Sequence, residues 1–161
     1  LVRFMREGEH RDEAMIALGS LGARQYGPEI ASYTKHEWWH IRLAAAEALA
    51  RLGEKGHAQA IAPLLQDESL DVRRTAFDAL ARLGARDCIG AIRERLQDSS
   101  AEVRGRAVRT LSRLDARECR DDIAALLHDD GPVEIDKGHV VESRVSDFAR
   151  EALKAWGVPP P

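Results

Sequence analysis

The chain has 161 residues, the size of one ordinary domain, and its hydrophobic content of 44% is sufficient for a continuous core. Only 5% of the residues are aromatic and 32% are charged, a composition typical of soluble helical proteins. The net charge of -3 argues against a nucleic-acid groove, which needs a basic excess, and no apolar run is long enough to cross a bilayer.

The predicted elements follow from a repeat with an offset of 31 residues, which separates Ile41, Val72 and Val103. The same offset aligns further apolar columns. These are Leu49, Leu80 and Leu111; Ile61, Ile92 and Ile123; and Leu65, Leu96 and Leu127. In chain order we predict one domain over 1–161 that contains repeats over about 10–40, 41–71, 72–102 and 103–130, an insertion over 130–144 and a terminal helix over 145–157.

Each repeat contains two predicted helices, A and B. In the second repeat the apolar residues of helix A recur with the spacing of one buried helical stripe. They are Ile41, Ala45, Ala48, Leu49 and Leu52. Four glycines stand after a helix A, where a left-handed C-cap residue is expected. They are Gly22, Gly53, Gly84 and Gly157. A period of this length built from two helices indicates stacked helical hairpins.

The first repeat ends in residues 36–40, His-Glu-Trp-Trp-His, which match the HExxH signature of zinc hydrolases. That chemistry requires His36 and His40 one helical turn apart on one face. The repeat offset instead places these residues over 67–71 and 98–102, where a turn leads into the next helix A. We therefore predict no metal site and no catalytic role for this segment.

The two tryptophans of this segment replace small residues of the other turns. Trp39 aligns with Leu70 and is expected to pack, whereas Trp38 aligns with Ser69 and Ser100 and is expected to be exposed. Exposed tryptophan is typical of interface hot spots. Trp38 is therefore a candidate edge contact for a partner.

Other recurring residues receive structural interpretations. Arg42, Arg73 and Arg104 follow the first apolar residue of helix A. We expect them to form a ladder with the preceding Asp71 and Glu102. Cys88 and Cys119 share one column at the start of helix B. Because stacked helices lie about 8–10 Å apart and a disulfide needs Cα atoms within about 7 Å, we predict two free thiols in a reducing compartment.

The pattern V-R-x-x-A-x-x-A-L-x-x-L-G, followed by a second helix that ends L-x-D, resembles HEAT-like repeats of the short bacterial type first associated with phycobilisome lyases. The resemblance covers nearly the whole chain. It implies an all-α fold, a right-handed α-solenoid (α-α superhelix) of stacked helical hairpins. It implies little about function, because such repeats serve adaptors, lyases and a few other enzymes.

In that family helix B lines the concave side, which is the usual binding surface. The residues of helix B outside the buried columns form a small, mixed and polar face. The candidate contacts on it are Arg93, Arg95, Gln59, Gln66, Gln97 and His128. Insertions on a solenoid often carry function, so the edge candidates are Trp38 and, within the insertion, Asp136, Lys137 and His139. The sequence around 136–138 also suggests a small hairpin.

This face contains no Ser-His-Asp set, no paired carboxylates at a catalytic spacing and no glycine loop for phosphate. We therefore expect a non-enzymatic module or scaffold that binds a protein partner on the concave helix B face. The alternative is a subunit of a HEAT-like enzyme, such as a tetrapyrrole (bilin) lyase or its regulatory partner. We expect no cofactor, no metal, no nucleic acid and no membrane contact, and a cytoplasmic monomer.

Overall fold

The computed structural model describes residues 1–8, 10–133 and 143–158. Its residues divide into two compact units, Leu1–Cys88 and Ile89–Pro161, hereafter the N-terminal and the C-terminal unit. The single domain expected over 1–161 stays a prediction. Within the described ranges, no helix is both long and apolar enough to span a membrane.

The two units are built almost entirely from helices. The helices of the N-terminal unit are α1 (Val2–Glu7), α2 (Arg11–Ser20), α3 (Gly27–Ser32), α4 (Trp39–Leu52), α5 (Ala58–Ile61) and α6 (Leu70–Leu83). The C-terminal unit contains α7 (Ile89–Glu94), α8 (Ala101–Arg113), α9 (Arg120–Ala124), β1 (Pro132–Val133), β2 (Ser143–Arg144) and α10 (Val145–Ala155). Helix A of successive repeats corresponds to α2, α4, α6 and α8, and α10 is the predicted terminal helix.

The ends of the A helices agree with the sequence prediction. Gly53 follows α4 with φ 73° and Gly84 follows α6 with φ 62°, a left-handed conformation that glycine adopts without a Cβ clash. After α8 no glycine is available, and Asp115 adopts the left-handed conformation instead, with φ 50°. Aspartate is among the few other residues that tolerate it.

The B helices differ from the prediction of one continuous second helix. Each is a short α-helix preceded by a 3-10 turn, and α3, α5 and α7 are also followed by one; such turns are common at helix ends. These turns cover Arg24–Tyr26, Tyr33–Lys35, Lys55–His57, Ala62–Gln66, Arg86–Cys88, Arg95–Gln97 and Arg117–Cys119. After α5 the change coincides with Pro63, which has no N–H to donate and whose ring clashes with an α-helical backbone.

The aligned apolar columns form the core of both units. Leu49, Leu80, Leu111, Ile61, Ile92 and Ile123 are completely buried. In the N-terminal unit α4 packs against α2 and α6, and in the C-terminal unit α8 packs against α10. The 31-residue offset therefore predicted which side chains pack.

The two ends of the insertion form a short antiparallel pair, in which Pro132 lies opposite Arg144 and Val133 opposite Ser143. Val133 is buried against α8 at Gly105, where an added Cβ would lie 2.7 Å from Val133 Cγ2. The hairpin suggested around 136–138 lies outside the described residues and stays a prediction. The candidate contacts Asp136, Lys137 and His139 lie outside the described residues.

Candidate functional site

The turn that precedes α4 is held by Arg42. Its Nη1 donates hydrogen bonds to the carbonyl oxygens of His36 (2.9 Å) and Glu37 (2.8 Å). Its Nε and Nη2 donate to the carboxylate of Asp67 in the following turn, at 2.6 and 2.8 Å. The side chains of Arg42 and Asp67 are only 10% and 6% exposed. One guanidinium thus ties two successive turns together.

The same arrangement recurs in the C-terminal unit. Arg104 donates to the carbonyl oxygens of Asp98 (2.7 Å) and Ser99 (3.1 Å) and to the carboxylate of Asp129 at 2.6 and 3.0 Å. We call each such set an arginine clamp: an arginine, the two carbonyl groups of the preceding turn, and the acceptor side chain of the following turn.

The ladder predicted with Asp71 and Glu102 is wrong. The clamp acids stand 25 residues after each arginine, at Asp67 and Asp129. Asp71 and Glu102 instead pair within their own helices, with Arg74 at 3.4 Å and Arg106 at 3.2 Å. The long arginine side chain reaches forward to the next turn, which sequence proximity does not reveal.

The clamp acids are held in their ionised form. Burial works against this at Asp67, but hydrogen bonds from Arg42 and from the Ser69 N–H bring the pKa of this carboxyl below its ordinary value. The hydrogen bond from Arg104 does the same for Asp129, against a smaller opposing effect of burial, so the pKa of Asp129 is also lowered. Each clamp is therefore a true ion pair at neutral pH.

The first repeat contains a clamp with a different acceptor. Arg11 donates to the carbonyl oxygens of Met5 (2.8 Å) and Arg6 (3.2 Å), and its Nη1 lies 3.2 Å from His36 Nε2. His36 Nδ1 accepts from the Trp38 N–H at 3.1 Å, as Asp67 Oδ1 accepts from the Ser69 N–H at 2.9 Å. His36 thus occupies the position of the clamp aspartate.

Sequence reasoning missed this role of His36, although the signal was present. The 31-residue offset already placed His36 over Asp67 and Asp98. An imidazole is a poorer acceptor here, because a neutral ring has one nitrogen with a free lone pair and two donors approach it. Asp67 accepts from both of its donors at once.

The geometry of residues 36–40 differs from that of a zinc signature. Helix α4 begins at Trp39, so His36 precedes the helix, as the offset predicted. The Trp38 ring contacts both imidazoles, edge-on to His36 at 5.4 Å and stacked on His40 at 5.8 Å between centroids. Across the described ranges, no three His, Cys, Asp or Glu residues form a group that could hold a metal. The absence of metal stays a prediction, and metal analysis of the purified protein tests it.

Both tryptophans of this turn are exposed. Trp38 is 55% exposed, as expected, and stands at the N-cap of α4. The expectation that Trp39 packs is wrong, because 48% of this residue is exposed. As the first residue of α4 it projects beyond the buried stripe and meets the His40 ring edge-on, at 5.8 Å between centroids.

The helix B face of the C-terminal unit contains an open groove between α7 and α9, with a volume of about 540 Å³. Among the residues that line it are Gly90, Arg93, Leu96, Gln97, Asp122 and Leu126. Arg93 is 54% exposed at the side chain and pairs with Asp122 at 2.9 Å across the groove. The predicted contacts Arg93 and Gln97 therefore lie together in one concave site.

The other predicted contacts are placed differently. The Arg95 side chain is mostly buried and lies 3.5 Å from Glu94 and 3.7 Å from Asp98, outside the groove lining. His128 is exposed beyond the end of α9. Gln59 and Gln66 are exposed in the N-terminal unit, where Gln59 lines a smaller cavity of about 240 Å³. The structure thus groups two of the six helix B candidates in the groove.

A sequence model of HEAT repeats matches residues 5–71 and 58–143. The chain belongs to the HEAT-repeat family. The fold is accordingly the all-α solenoid class of helical repeats that the sequence predicted. No curated protein matches the chain in sequence.

Solved structures with similar HEAT-like folds include two engineered proteins, with TM-scores of 0.60 and 0.64 and sequence identities of 18% and 16%. They are matched over 89% and 96% of this chain and over 66% and 46% of theirs. A third is the complex of CpcE and CpcF of phycocyanin lyase from Nostoc sp. PCC7120, with a TM-score of 0.57, 24% identity, and coverage of 91% of this chain and 55% of that chain. At these identities the likeness shows the fold alone.

Within the HEAT repeats, the two cysteines belong to the core. Cys88 and Cys119 are buried free thiols, as predicted. Burial raises the pKa of the Cys88 thiol, and the charge of Asp87 adds to this effect. Burial also raises the pKa of Cys119, although the charge of Arg93 opposes it. Both thiols are therefore poor nucleophiles at neutral pH.

Proposed function

We propose that this HEAT-repeat protein is a non-enzymatic binding module that holds a segment of a protein partner in the groove between α7 and α9. The observation that carries the proposal is that one groove is lined by an exposed arginine and by apolar side chains. Arg93 lines the groove with a half-exposed side chain, and Leu96, Ala125 and Leu126 contribute apolar surface to the same lining. An arginine that combines stem packing with bidentate hydrogen bonding is a typical interface anchor.

The chemistry of the groove favours binding over catalysis. Its ionisable side chains are Arg93, Glu94 and Asp122, and the lining contains no histidine, cysteine or serine. Asp122 is engaged by Arg93, and their hydrogen bond raises the pKa of Arg93. An ion pair of this kind offers no proton to transfer near neutral pH. A groove lined by both polar and apolar side chains is suited to bind a peptide segment.

A site-specific crosslink tests where the partner binds. A photoreactive amino acid in place of Gln97, which is exposed in the groove, is expected to crosslink the partner in cell extract. The same amino acid in place of Glu151, which is exposed on α10 outside the groove lining, is the control. A partner captured from Glu151 but not from Gln97 would place binding elsewhere and contradict the proposal.

A matched pair of arginine variants then measures how much Arg93 contributes to the binding affinity. With the crosslinked partner purified, Arg93→Ala is expected to weaken binding about tenfold or more, as loss of an interface anchor does. Arg117→Ala is the control, because Arg117 is equally exposed and paired with an aspartate, Asp115 at 2.8 Å, but lies outside the groove. Equal affinities of both variants and the unaltered protein would overturn the role of Arg93.

The remaining predicted contacts have separate tests within the same assay. We expect Arg95→Ala to lower stability rather than affinity, because Arg95 pairs with carboxylates of its own segment. The contribution of Gln59, Gln66 and His128, and of Asp136, Lys137 and His139 in the insertion, stays a prediction, and alanine substitution of each group measures it. A cytoplasmic location and a monomeric state complete the proposal, in agreement with two free thiols.

A second candidate function is a subunit of a bilin lyase. It is favoured by the similarity to the CpcE–CpcF complex of phycocyanin lyase, which also supports a protein as the partner. A lyase subunit is expected to bind an added bilin, seen as a shifted visible absorbance band that Arg93→Ala weakens. A binding module is expected to leave the spectrum of the added bilin unchanged.

A further inference from the structure

The turn before α4 exposes aromatic surface that the fold does not require. Trp38 stands at the N-cap of α4, and the equivalent N-cap residues of α6 and α8 are Ser69 and Ser100. All three turns have the same extended N-cap conformation, and none uses its N-cap side chain as a cap. The turns before α6 and α8 form with a serine at this position, so the turn before α4 does not need the Trp38 indole. The indole leaves a large ring exposed to water.

This aromatic surface is fixed in place before any partner arrives. The Trp38 N–H is bonded to His36, and Arg42 binds the carbonyl groups of His36 and Glu37. The Trp38 ring stacks on His40 with an interplanar angle of 18° and meets His36 edge-on. A pre-ordered ring loses little conformational entropy on binding, which is why rigid aromatic side chains serve as interface anchors.

The charged groups beside the ring that face solvent are mainly carboxylates. Glu37 adjoins Trp38 and is exposed. The Glu68 side chain is 81% exposed and lies 3.1 Å from Arg42 Nη2, the same guanidinium that binds the Glu37 carbonyl. Arg42 itself is buried and neutralised by Asp67. Glu68 therefore reaches the edge of the turn with most of its carboxylate in water.

The cationic side chains near this turn include Arg11, which binds groups of the protein itself, and the exposed Lys35. Arg11 approaches His36 from Nε2, the ring nitrogen that does not bind Trp38, and donates to two carbonyl groups. Its guanidinium also lies 5.3 Å from the centre of the Tyr33 ring. Lys35, at the end of the preceding 3-10 turn, is the exposed cation nearest in the chain. The surface of this turn is thus aromatic, with the exposed Glu37 and with Glu68, whose carboxylate is largely exposed although it pairs with Arg42.

We infer that this turn is a second docking site, which binds an arginine or lysine side chain of a basic partner segment. The cation lies over the exposed part of the Trp38 ring, where the ring quadrupole attracts it, and Glu37 and Glu68 pair with its charged head. The inference goes beyond the groove of the C-terminal unit, because none of its residues lines that groove.

A peptide of defined charge tests the inference. Fluorescein-labelled hexa-arginine is titrated with the full chain at low salt, and anisotropy reports binding, with hexa-glutamate as the charge control. Saturable binding of hexa-arginine alone is expected. Quenching of tryptophan fluorescence in a Trp156→Phe background, which leaves Trp38 and Trp39 as reporters, is expected to follow the same curve. Failure of hexa-arginine to bind would overturn the inference.

Two variants separate the ring from the charges. Trp38→Leu retains apolar surface and removes the quadrupole, and is expected to weaken hexa-arginine binding about fivefold. Glu37→Gln with Glu68→Gln is expected to weaken it by a similar factor, while the glutamine still accepts from Arg42. Glu13→Gln with Asp121→Asn makes the same change of net charge at exposed residues elsewhere and is expected to leave affinity within about twofold.

The outcomes distinguish binding at this turn from diffuse electrostatic binding to the whole surface and from binding in the groove. Equal losses in the two charge variants would mean diffuse electrostatic binding and overturn the inference, as would unchanged binding by Trp38→Leu. Binding of a proline-rich peptide at Trp38 in place of hexa-arginine would also overturn it. Arg93→Ala is expected to leave hexa-arginine binding within about twofold, so failure of the groove proposal does not affect this test.

Discussion

Two turns of the N-terminal unit occupy the same place in successive repeats and differ in what they expose. The turn before α6 uses Asp67 as its acceptor and has the half-buried Ser69 at its N-cap, whereas the turn before α4 uses His36 and exposes Trp38. In both turns an arginine donates to two carbonyl groups of the backbone, Arg73 in one and Arg42 in the other. The backbone path is thus preserved while the side chains change.

The difference shows which positions the fold constrains. The arginine of the clamp and its two carbonyl acceptors are retained in each turn, because buried carbonyl groups need donors. The acceptor side chain tolerates a weaker substitute, as at His36. The N-cap residue makes no side-chain cap in either turn and is therefore free to carry binding chemistry. Four experiments test this division between the clamp residues, which hold the turn, and the N-cap residue, which does not.

The largest effect is expected from removal of a clamp arginine. Arg42→Ala leaves the buried Asp67 carboxylate without its cation and two carbonyl groups without their arginine donor, and is expected to lower the free energy of unfolding by about 3–5 kcal/mol. Urea unfolding followed by circular dichroism measures it. Arg11→Ala, in the same column but with an imidazole in place of the carboxylate, is expected to cost about 1–2 kcal/mol. Equal losses would mean that the charge of the acceptor is irrelevant.

A pH dependence is expected from the clamp aspartates. Their pKa values are lower in the folded chain than the ordinary value of 3.8, so the unfolded chain takes up protons first as the pH falls. The stability from Asp67 and Asp129 is therefore fully present above about pH 5 and is lost progressively as the pH falls through the ordinary pKa toward the lowered folded values. Unfolding at stepwise pH measures the loss. Asp67→Asn with Asp129→Asn is expected to flatten this acid limb, and an unchanged limb would exclude these carboxyls as its source.

A smaller gain is expected from conversion of the first clamp to the form of the second. His36→Asp gives Arg11 an ionised partner and retains the acceptor for the Trp38 N–H, so the free energy of unfolding at pH 7 should rise by about 1 kcal/mol. His36→Asn is the matched control, because it retains the acceptor without the charge and should gain less. A loss of stability in His36→Asp would show that the two turns are not equivalent.

The apolar columns were predictable because the core repeats every 31 residues and packing allows little variation there. Leu49, Leu80 and Leu111 are buried as the alignment requires. The identity of the clamp acids was not predictable in this way. Asp67 lies in the turn before α6 and Asp71 in the first turn of α6, and only the direction of the Arg42 side chain selects Asp67.

The groove was predictable as a face but not as a set of residues. Periodicity placed Arg93 and Arg95 outside the buried stripe of helix B, and both were expected to reach a partner. Arg95 begins the 3-10 turn Arg95–Gln97, in which side chains three residues apart lie on one side, and it lies 3.7 Å from Asp98, outside the groove lining. Residues two apart on a helix do not share a face, so Arg93 and Arg95 could not both be expected in one groove.

The smallest effect on stability is expected at the residue that most distinguishes the two turns. Trp38→Ser restores the residue found at the N-caps of α6 and α8, and the exposed indole makes only edge and stacking contacts with His36 and His40. The free energy of unfolding should change by no more than about 0.5 kcal/mol, as for other surface substitutions. Ile41→Ala in the same helix, which empties a buried site, should cost about 2–5 kcal/mol in the same urea assay. If Trp38→Ser lowered the free energy of unfolding by 2 kcal/mol or more, the indole would be needed to hold the turn. Its exposure would then have a structural cause.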